Sequence, residues 1–179
     1  MRQTLFYLVR SDSHHEIEAV GSFRRGKATC GDMDILITRR DGYVEKNLLQ
    51  HLVTELEKRR FITDHITFPK NYDGHSSVNY MGVCRLGEET HHRIDLKHYP
   101  VEQYAFALLY FTGSDLFNRE MRMHAHEKGL MLSDHNIKKK ERNGQGKIWK
   151  GGKIPVCYTE KDIFQLLEME YRAPAQREL

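Results

Sequence analysis

The hydrophobic pattern changes period at Pro100, and this change does most to limit what the chain can become. Before it, short apolar runs of strand length are separated by turn residues. Residues 16–20 alternate and stop at Gly21. Residues 32–38 (DMDILIT) lie between Gly31 and the Arg39-Arg40-Asp41-Gly42 turn. Residues 61–68, 78–86 and 92–99 are also strand-like, with 69–77 as a polar loop. One helix is expected over 44–60, where Leu48, Leu49, Leu52, Val53 and Leu56 recur at helical spacing. After Pro100 helices dominate. One is expected over 101–111, starting beside the proline and broken by Thr112-Gly113. Ser114 is placed to cap a second, which runs to about Lys128 and ends at Gly129. Residues 143–152 read as a hairpin loop, and Thr159 caps a short helix over 160–167. The apolar run 5–9 finishes a helix or packs at an edge, and the tail from Tyr171 is polar. No internal repeat is present. The pattern predicts an α+β architecture in two sub-domains that divide near residue 100.

A chain of 179 residues suffices for one domain or two small ones. Its 39% hydrophobic and 30% charged residues suit a folded soluble protein rather than a disordered one. The longest apolar run, 104–111, falls far short of the ~20 residues that span a bilayer. The N-terminus, MRQTLFYLVRSD, lacks the apolar core of a signal peptide, so no membrane partner is expected. Cys30, Cys84 and Cys157 are few, odd in number and widely spaced, which favours free thiols in a reducing compartment. A net charge of +3 permits a polyanionic partner without demonstrating one. Among eleven histidines, none has good zinc spacing; His124 and His126, for example, diverge by about 200° on a helix. Exposure is expected for nearly all of them.

Asp32 and Asp34 are two apart on one strand, so both project from one face while Met33, Ile35 and Ile37 occupy the other. Two aspartates on one strand face repel each other and need compensation. Asp95, between Ile94 and Leu96, repeats the arrangement on a later strand. If the two strands pair, three carboxylates converge. Such a set suits Mg²⁺, which takes hard oxygen ligands and fills its shell with water and substrate phosphate. Two ions ~3.5–4 Å apart can serve an in-line displacement. A lone Asp-x-Asp reads more simply as strand-end carboxylates facing water.

The segment upstream shifts that balance. Gly21-Ser22-Phe23-Arg24-Arg25-Gly26-Lys27 follows a strand and opens with a Gly-Ser turn. A short helix from Ser22 would aim backbone N–H groups at an anion. The Ser22 hydroxyl and the Arg25 guanidinium could add phosphate contacts, and Gly31 lets backbone approach a ligand closely. Alone, this is an ordinary basic surface turn. Ten residues before an Asp-x-Asp strand, it puts phosphate donors beside phosphate metals.

These residues resemble the family X DNA polymerases. Gly21-Ser22, Gly31-Asp32-Met33-Asp34 and Arg93-Ile94-Asp95 look like the nucleotidyltransferase palm of that family. Tyr110-Phe111-Thr112-Gly113-Ser114 and Phe117-Asn118-Arg119 look like the nucleotide-binding start of its thumb. Thr159-Glu160-Lys161-Asp162-Ile163-Phe164 and Tyr171-Arg172-Ala173-Pro174 look like its closing segment. The resemblance implies a palm with a mixed sheet and flanking helices over 1–100. Over 101–179 it implies a mainly helical thumb with a small β-hairpin. It implies that Asp32, Asp34 and Asp95 are catalytic and hold two Mg²⁺ ions, with Mn²⁺ as a substitute. Ser22, Arg25 and Gly31 would bind the triphosphate of a dNTP. Tyr110, Phe111 and Gly113 would border its sugar, and Asp115 and Asn118 would contact its base. Arg93, Arg119 and Arg122 would bind DNA.

Asp115, Asn118, Arg119 and Arg122 stand at i, i+3, i+4 and i+7, one helix face. Spacing alone makes that a solvated face, and the resemblance makes it a template-facing one. The implied activity is DNA-directed transfer of a deoxynucleotide to a primer 3′-OH in gap-filling repair, in the nucleus, by a monomer on primer–template or gapped DNA. Template-independent terminal transfer and a catalytically weak gap-binding fragment are the alternatives. Two departures stand out. The lyase domain and helix-hairpin-helix clamp of repair members do not fit before Glu16, which predicts low DNA affinity. Lys97 and Asp134 stand where relatives often pair an arginine with a glutamate. The Lys138-Lys139-Lys140-Glu141-Arg142 run reads as a charged loop edge or a phosphate-backbone contact rather than a nuclear signal.

Overall fold

The computed structural model describes residues 14–43, 47–68, 78–85, 90–139 and 153–178. The first half forms a five-stranded sheet from β1 (His15–Ala19), β2 (Asp32–Arg39), β3 (Ile62–Thr67), β4 (Val78–Cys84) and β5 (His92–His98). The strands lie in the order β1-β2-β5-β4-β3. β2 and β5 run parallel and the other neighbours antiparallel, so the sheet is mixed. A parallel pair needs a long crossover. Here α2 (Leu48–Lys58), β3 and β4 supply it, while α1 (Gly21–Arg24) fills the short link from β1 to β2.

The sheet is covered unequally. On one face, Ile35 and Ile37 of β2, Tyr80 of β4, and Ile94 and Leu96 of β5 pack against Leu48, Leu49, Leu52, Val53 and Leu56 of α2. Those are the five helix positions the spacing singled out. On the other face, Leu36 packs with Val20, Tyr99, and Tyr104 and Ala107 of α3 (Val101–Thr112). Along β2, burial therefore rises from partly exposed Asp32 and Asp34 to fully buried Leu36 and Thr38. The acidic end is left open.

α3 serves both halves. Its Ala105, Phe106 and Leu109 enter a second core with Phe117, Met121 and Ala125 of α4 (Asp115–Glu127). Leu130 of β6 (Leu130–Leu132), Ile137 of β7 (Ile137–Lys139), and Ile163 and Phe164 of α5 (Glu160–Leu166) complete it. Caps fix the helix starts. Ser114 Oγ accepts from the Phe117 N–H at 3.4 Å, and Thr159 with Asp162 forms a reciprocal capping box.

Some details differ from expectation. The small two-stranded sheet closes through Ser133, whose Oγ accepts from the His135 and Asn136 N–H groups at 3.2 Å. Its three-residue strands are too short to show a period. The expected hairpin loop at 143–152 and the apolar run 5–9 lie outside the described residues, as do Lys140 to Arg142. Where nearly all histidines are expected to be exposed, His98 is an exception, 3% accessible, because β5 is central and covered on both faces. Burial, with His15 nearby, pushes its imidazole down to about 4. All three cysteines are unbonded. Among the described residues, no helix is long and apolar enough to cross a membrane.

Candidate active site

The parallel pairing of β2 and β5 sets Asp34 directly opposite Asp95 and Asp32 opposite Arg93. In-register neighbours project from the same face, so three carboxylates gather at the open end of the sheet. Two side-chain cations stand among them. Lys97 Nζ donates to Asp34 Oδ1 at 2.6 Å and to Asp95 Oδ2 at 3.5 Å. Arg93 pairs with Asp32 and lies 3.3 Å from Asp95 Oδ1. That oxygen is buried and receives no hydrogen bond. Hard, partly unsatisfied carboxylate oxygens at one point are the donor set a divalent cation takes. As the side chains stand, no group of three His, Cys, Asp or Glu among the described residues surrounds a single metal position. Lys97 and Arg93 hold the oxygens instead. The residues fit such an ion in kind and in strand position, with the two cations as its competitors.

α1 is joined to this acidic end by Gly21. A Cβ there would stand 2.9 Å from Asp34 Oδ2, and φ is +63°, so only glycine fits without strain. Ser22 follows it, half-buried. Gly31 is exposed, with nothing within 4 Å of a Cβ built on it, so no protein packing demands glycine there. Arg25 is already engaged. Its Nη1 donates to the Thr112 carbonyl at 2.6 Å, and its Nε donates to the Glu178 carboxylate. Lys27 Nζ also reaches Glu178, at 2.9 Å. These two cations hold the Glu178 carboxyl below the usual carboxylate range.

The end of α3 faces the same region. Phe111 lies under Lys97, whose Nζ is 4.9 Å from its ring centroid. Tyr110 is 39% exposed and packs edge-on against Phe111. Gly113 adopts φ +68°, and Arg25 Nη1 is 3.1 Å from where its Cβ would be. The structure thus brings Phe111 and Gly113 beside the acidic end and α1. Asp115, Arg119 and Arg122 are exposed along α4, and the Arg122 guanidinium lies 5.9 Å from the Tyr110 ring. Asn118 departs from that solvated face. It is 7% accessible, and its Nδ2 donates to the Tyr110 carbonyl at 2.7 Å. The last carbonyls of a helix lack intrahelical donors, and Asn118 satisfies one of α3. Lys97 and Asp134 do not meet, since Asp134 accepts from the Tyr99 hydroxyl at 2.5 Å.

A second charged group lies beneath α1 and was not legible in the chain. Glu160 Oε1 accepts from Arg24 Nη1 at 3.0 Å and Arg177 Nη1 at 2.6 Å, and Oε2 accepts from Arg24 Nη2 at 2.9 Å. Burial pushes the Glu160 carboxyl up, but the hydrogen bonds and charges of Arg24 and Arg177 outweigh it and hold it low. Glu160 opens α5, where an acid also reads as ordinary N-terminal charge. Only the 136-residue separation closed by the fold gives it Arg24.

A family model described as DNA polymerase beta palm matches residues 5–101, and one described as DNA polymerase beta thumb matches residues 107–178. The chain is 43% identical over 163 residues to DNA polymerase lambda of Rattus norvegicus, covering 89% of this chain and 28% of that one. It is 36% identical over 164 residues to DNA polymerase lambda of Arabidopsis thaliana, covering 89% and 31%. It is 30% identical over 191 residues to DNA nucleotidylexotransferase of Xenopus laevis, covering 90% and 36%. It therefore spans about a third of the length of these curated relatives. With a palm-like sheet, an acidic open end and both family models in order along it, the chain belongs to the family X DNA polymerases.

Proposed function

We propose that this chain is the nucleotidyl-transfer part of a family X DNA polymerase, with residues 1–100 as palm and 101–179 as thumb. It acts as a monomer, in the nucleus, joining a deoxynucleotide from a dNTP to the primer 3′-OH of gapped DNA or primer–template in gap-filling repair. The single observation that carries the reading is the Asp34–Asp95 register pair beside Gly21, which sets the Gly21-Ser22 turn against an under-satisfied carboxylate set.

In this reading Asp32, Asp34 and Asp95 hold two Mg²⁺ ions, or Mn²⁺ in their place. When bound, these supply positive charge at the attacking and leaving oxygens. Lys97 and Arg93, which now hold these carboxylates, would have to give them up for the ions to be held, and Arg93 would then be available to the DNA. Ser22, Arg25 and the backbone at Gly31 bind the triphosphate, and Arg25 exchanges the Glu178 carboxylate for phosphate. Fixed positive groups here offset charge that builds on the transferred phosphoryl oxygens. Tyr110, Phe111 and Gly113 border the sugar. Asp115 would contact the base, Asn118 would reach it from its place against the Tyr110 carbonyl, and Arg119 and Arg122 would reach the template strand.

Primer extension on gapped DNA, with the four dNTPs offered singly, tests this. Template-directed incorporation by the wild-type chain and none by Asp95→Ala is expected. Incorporation retained by Asp95→Ala would sink the assignment, and gap binding without incorporation in Mg²⁺ or Mn²⁺ would leave a binding fragment only. The likeness to DNA nucleotidylexotransferase supports a second reading, template-independent addition. A single-stranded primer with no template separates the two.

A further inference from the structure

We propose that Glu160 is a positioning residue for the incoming nucleotide, acting through Arg24 and Thr112 to lock the phosphate-binding turn to the sugar-facing end of α3. The inference rests on the nucleotidyl-transfer reading above and extends it to residues that touch neither substrate nor metal.

The connections run in one continuous path. Arg24 and Arg25 are adjacent on α1, and they grip the same residue of α3 from two sides. Arg24 Nη1 donates to Thr112 Oγ1 at 2.6 Å, while Arg25 Nη1 donates to the Thr112 carbonyl at 2.6 Å. Thr112 is fully buried, and its hydroxyl also donates to the Leu108 carbonyl at 2.6 Å. It immediately follows Tyr110 and Phe111 and precedes Gly113. Whatever fixes Arg24 therefore fixes the spacing between the α1 turn and the sugar-facing residues.

Glu160 holds Arg24 more closely than its other acidic neighbour, Glu18, which lies 3.7 Å from Arg24 Nε. Both Glu160 oxygens are used on Arg24, in a forked pair that constrains orientation as well as distance. Glu160 is itself 6% accessible and anchored from behind by Arg177, which is wholly buried. The Arg177 guanidinium lies 5.3 Å from the Phe117 ring centroid, 5.6 Å from that of Phe164 and 5.8 Å from that of Tyr171. Such rings hold a desolvated cation. The Arg177 carbonyl accepts from Ser114 Oγ at 2.8 Å, which returns the path to the residue after Gly113. A buried ion group of this kind is weak as a source of stability compared with an apolar one. Its use here is geometric: it ties the start of α5 and the C-terminal segment to the one loop that carries Ser22 and Arg25.

The test measures two things on Glu160→Gln, which keeps the shape and removes the charge. Amide hydrogen exchange of the nucleotide-free protein should quicken across residues 21–27 and 112–114. Steady-state kinetics on gapped DNA should show the dNTP KM rising about 10-fold, as expected when a binding group is misplaced by a fraction of an ångström, with DNA affinity within about twofold. Thr112→Val removes one hydroxyl at constant volume and should move both readouts the same way by a smaller factor, which decides the matter if Glu160→Gln folds poorly. Unchanged exchange in these segments, or quickened exchange with an unchanged dNTP KM, overturns the inference. A wild-type chain that incorporates nothing overturns the polymerase reading itself, and is recognised because it precedes any comparison of variants.

Discussion

Two charged clusters stand on either side of α1, and they are built on opposite principles. At the open end of the sheet, Asp32, Asp34 and Asp95 have side chains 35%, 21% and 10% exposed, and Asp95 Oδ1 accepts no hydrogen bond. Beneath α1, Glu160 is closed off, and each of its oxygens accepts from a guanidinium. The first cluster has acids in excess near water, so its cations can be exchanged for others. The second has Glu160 between the wholly buried Arg177 and the partly buried Arg24, which also lies 3.7 Å from Glu18, so losing Glu160 leaves the Arg177 charge uncompensated in a dry setting. The contrast teaches where exchange is possible and where only rigidity is.

That contrast can be broken in order of size. Asp95→Ala should lower primer extension by about 10⁴-fold or more, because in the proposed reading its carboxylate acts with two others as a unit; circular dichroism should show the fold intact. Glu160→Ala should act on stability as well as on the dNTP KM. It should destabilise the chain by about 3–5 kcal/mol in denaturant unfolding, since the wholly buried Arg177 and the partly buried Arg24 lose the carboxylate they share. Equal stability loss from both variants would erase the distinction.

Acid should separate the regions next. His98 has its pKa depressed to about 4, so the unfolded chain binds a proton first and stability is lost as pH falls below the ordinary histidine value. Between pH ~8 and ~5 that amounts to about 2 kcal/mol, and His98→Gln should flatten the slope. The Glu160 contribution has the other window. Its pKa is lowered, so its stabilisation persists above the ordinary carboxylate range and disappears only as pH falls through the depressed value. The smallest effect tests the local frame alone: Thr159→Ala, which removes the α5 cap, should cost about 1 kcal/mol and leave nucleotide kinetics unchanged.

Much of the fold was legible. The five apolar positions of α2, the Asp-x-Asp strand, and the caps at Ser114 and Thr159 follow from period and turn chemistry, which act over a few residues. The family resemblance implied the remaining site residues, and its palm and thumb follow the order of the two family models. Less was legible where one helix face serves two ends. Asn118 shares its spacing with Arg119 and Arg122, yet turns inward to the Tyr110 carbonyl. Sequence spacing fixes the angle about the helix axis, while the neighbouring helix decides which side is wet.

Local periodicity in the chain was enough for the longer strands and helices and for which carboxylates share a strand face, though not for the three-residue strands β6 and β7. Only the tertiary structure decided that Asp34 stands opposite Asp95, that Lys97 reaches both, and that Glu160 meets Arg24 across 136 residues. Strand register and buried charge pairing are set by how whole faces pack and by the cost of leaving a charge without a partner in a dry interior, and neither leaves a mark in local spacing.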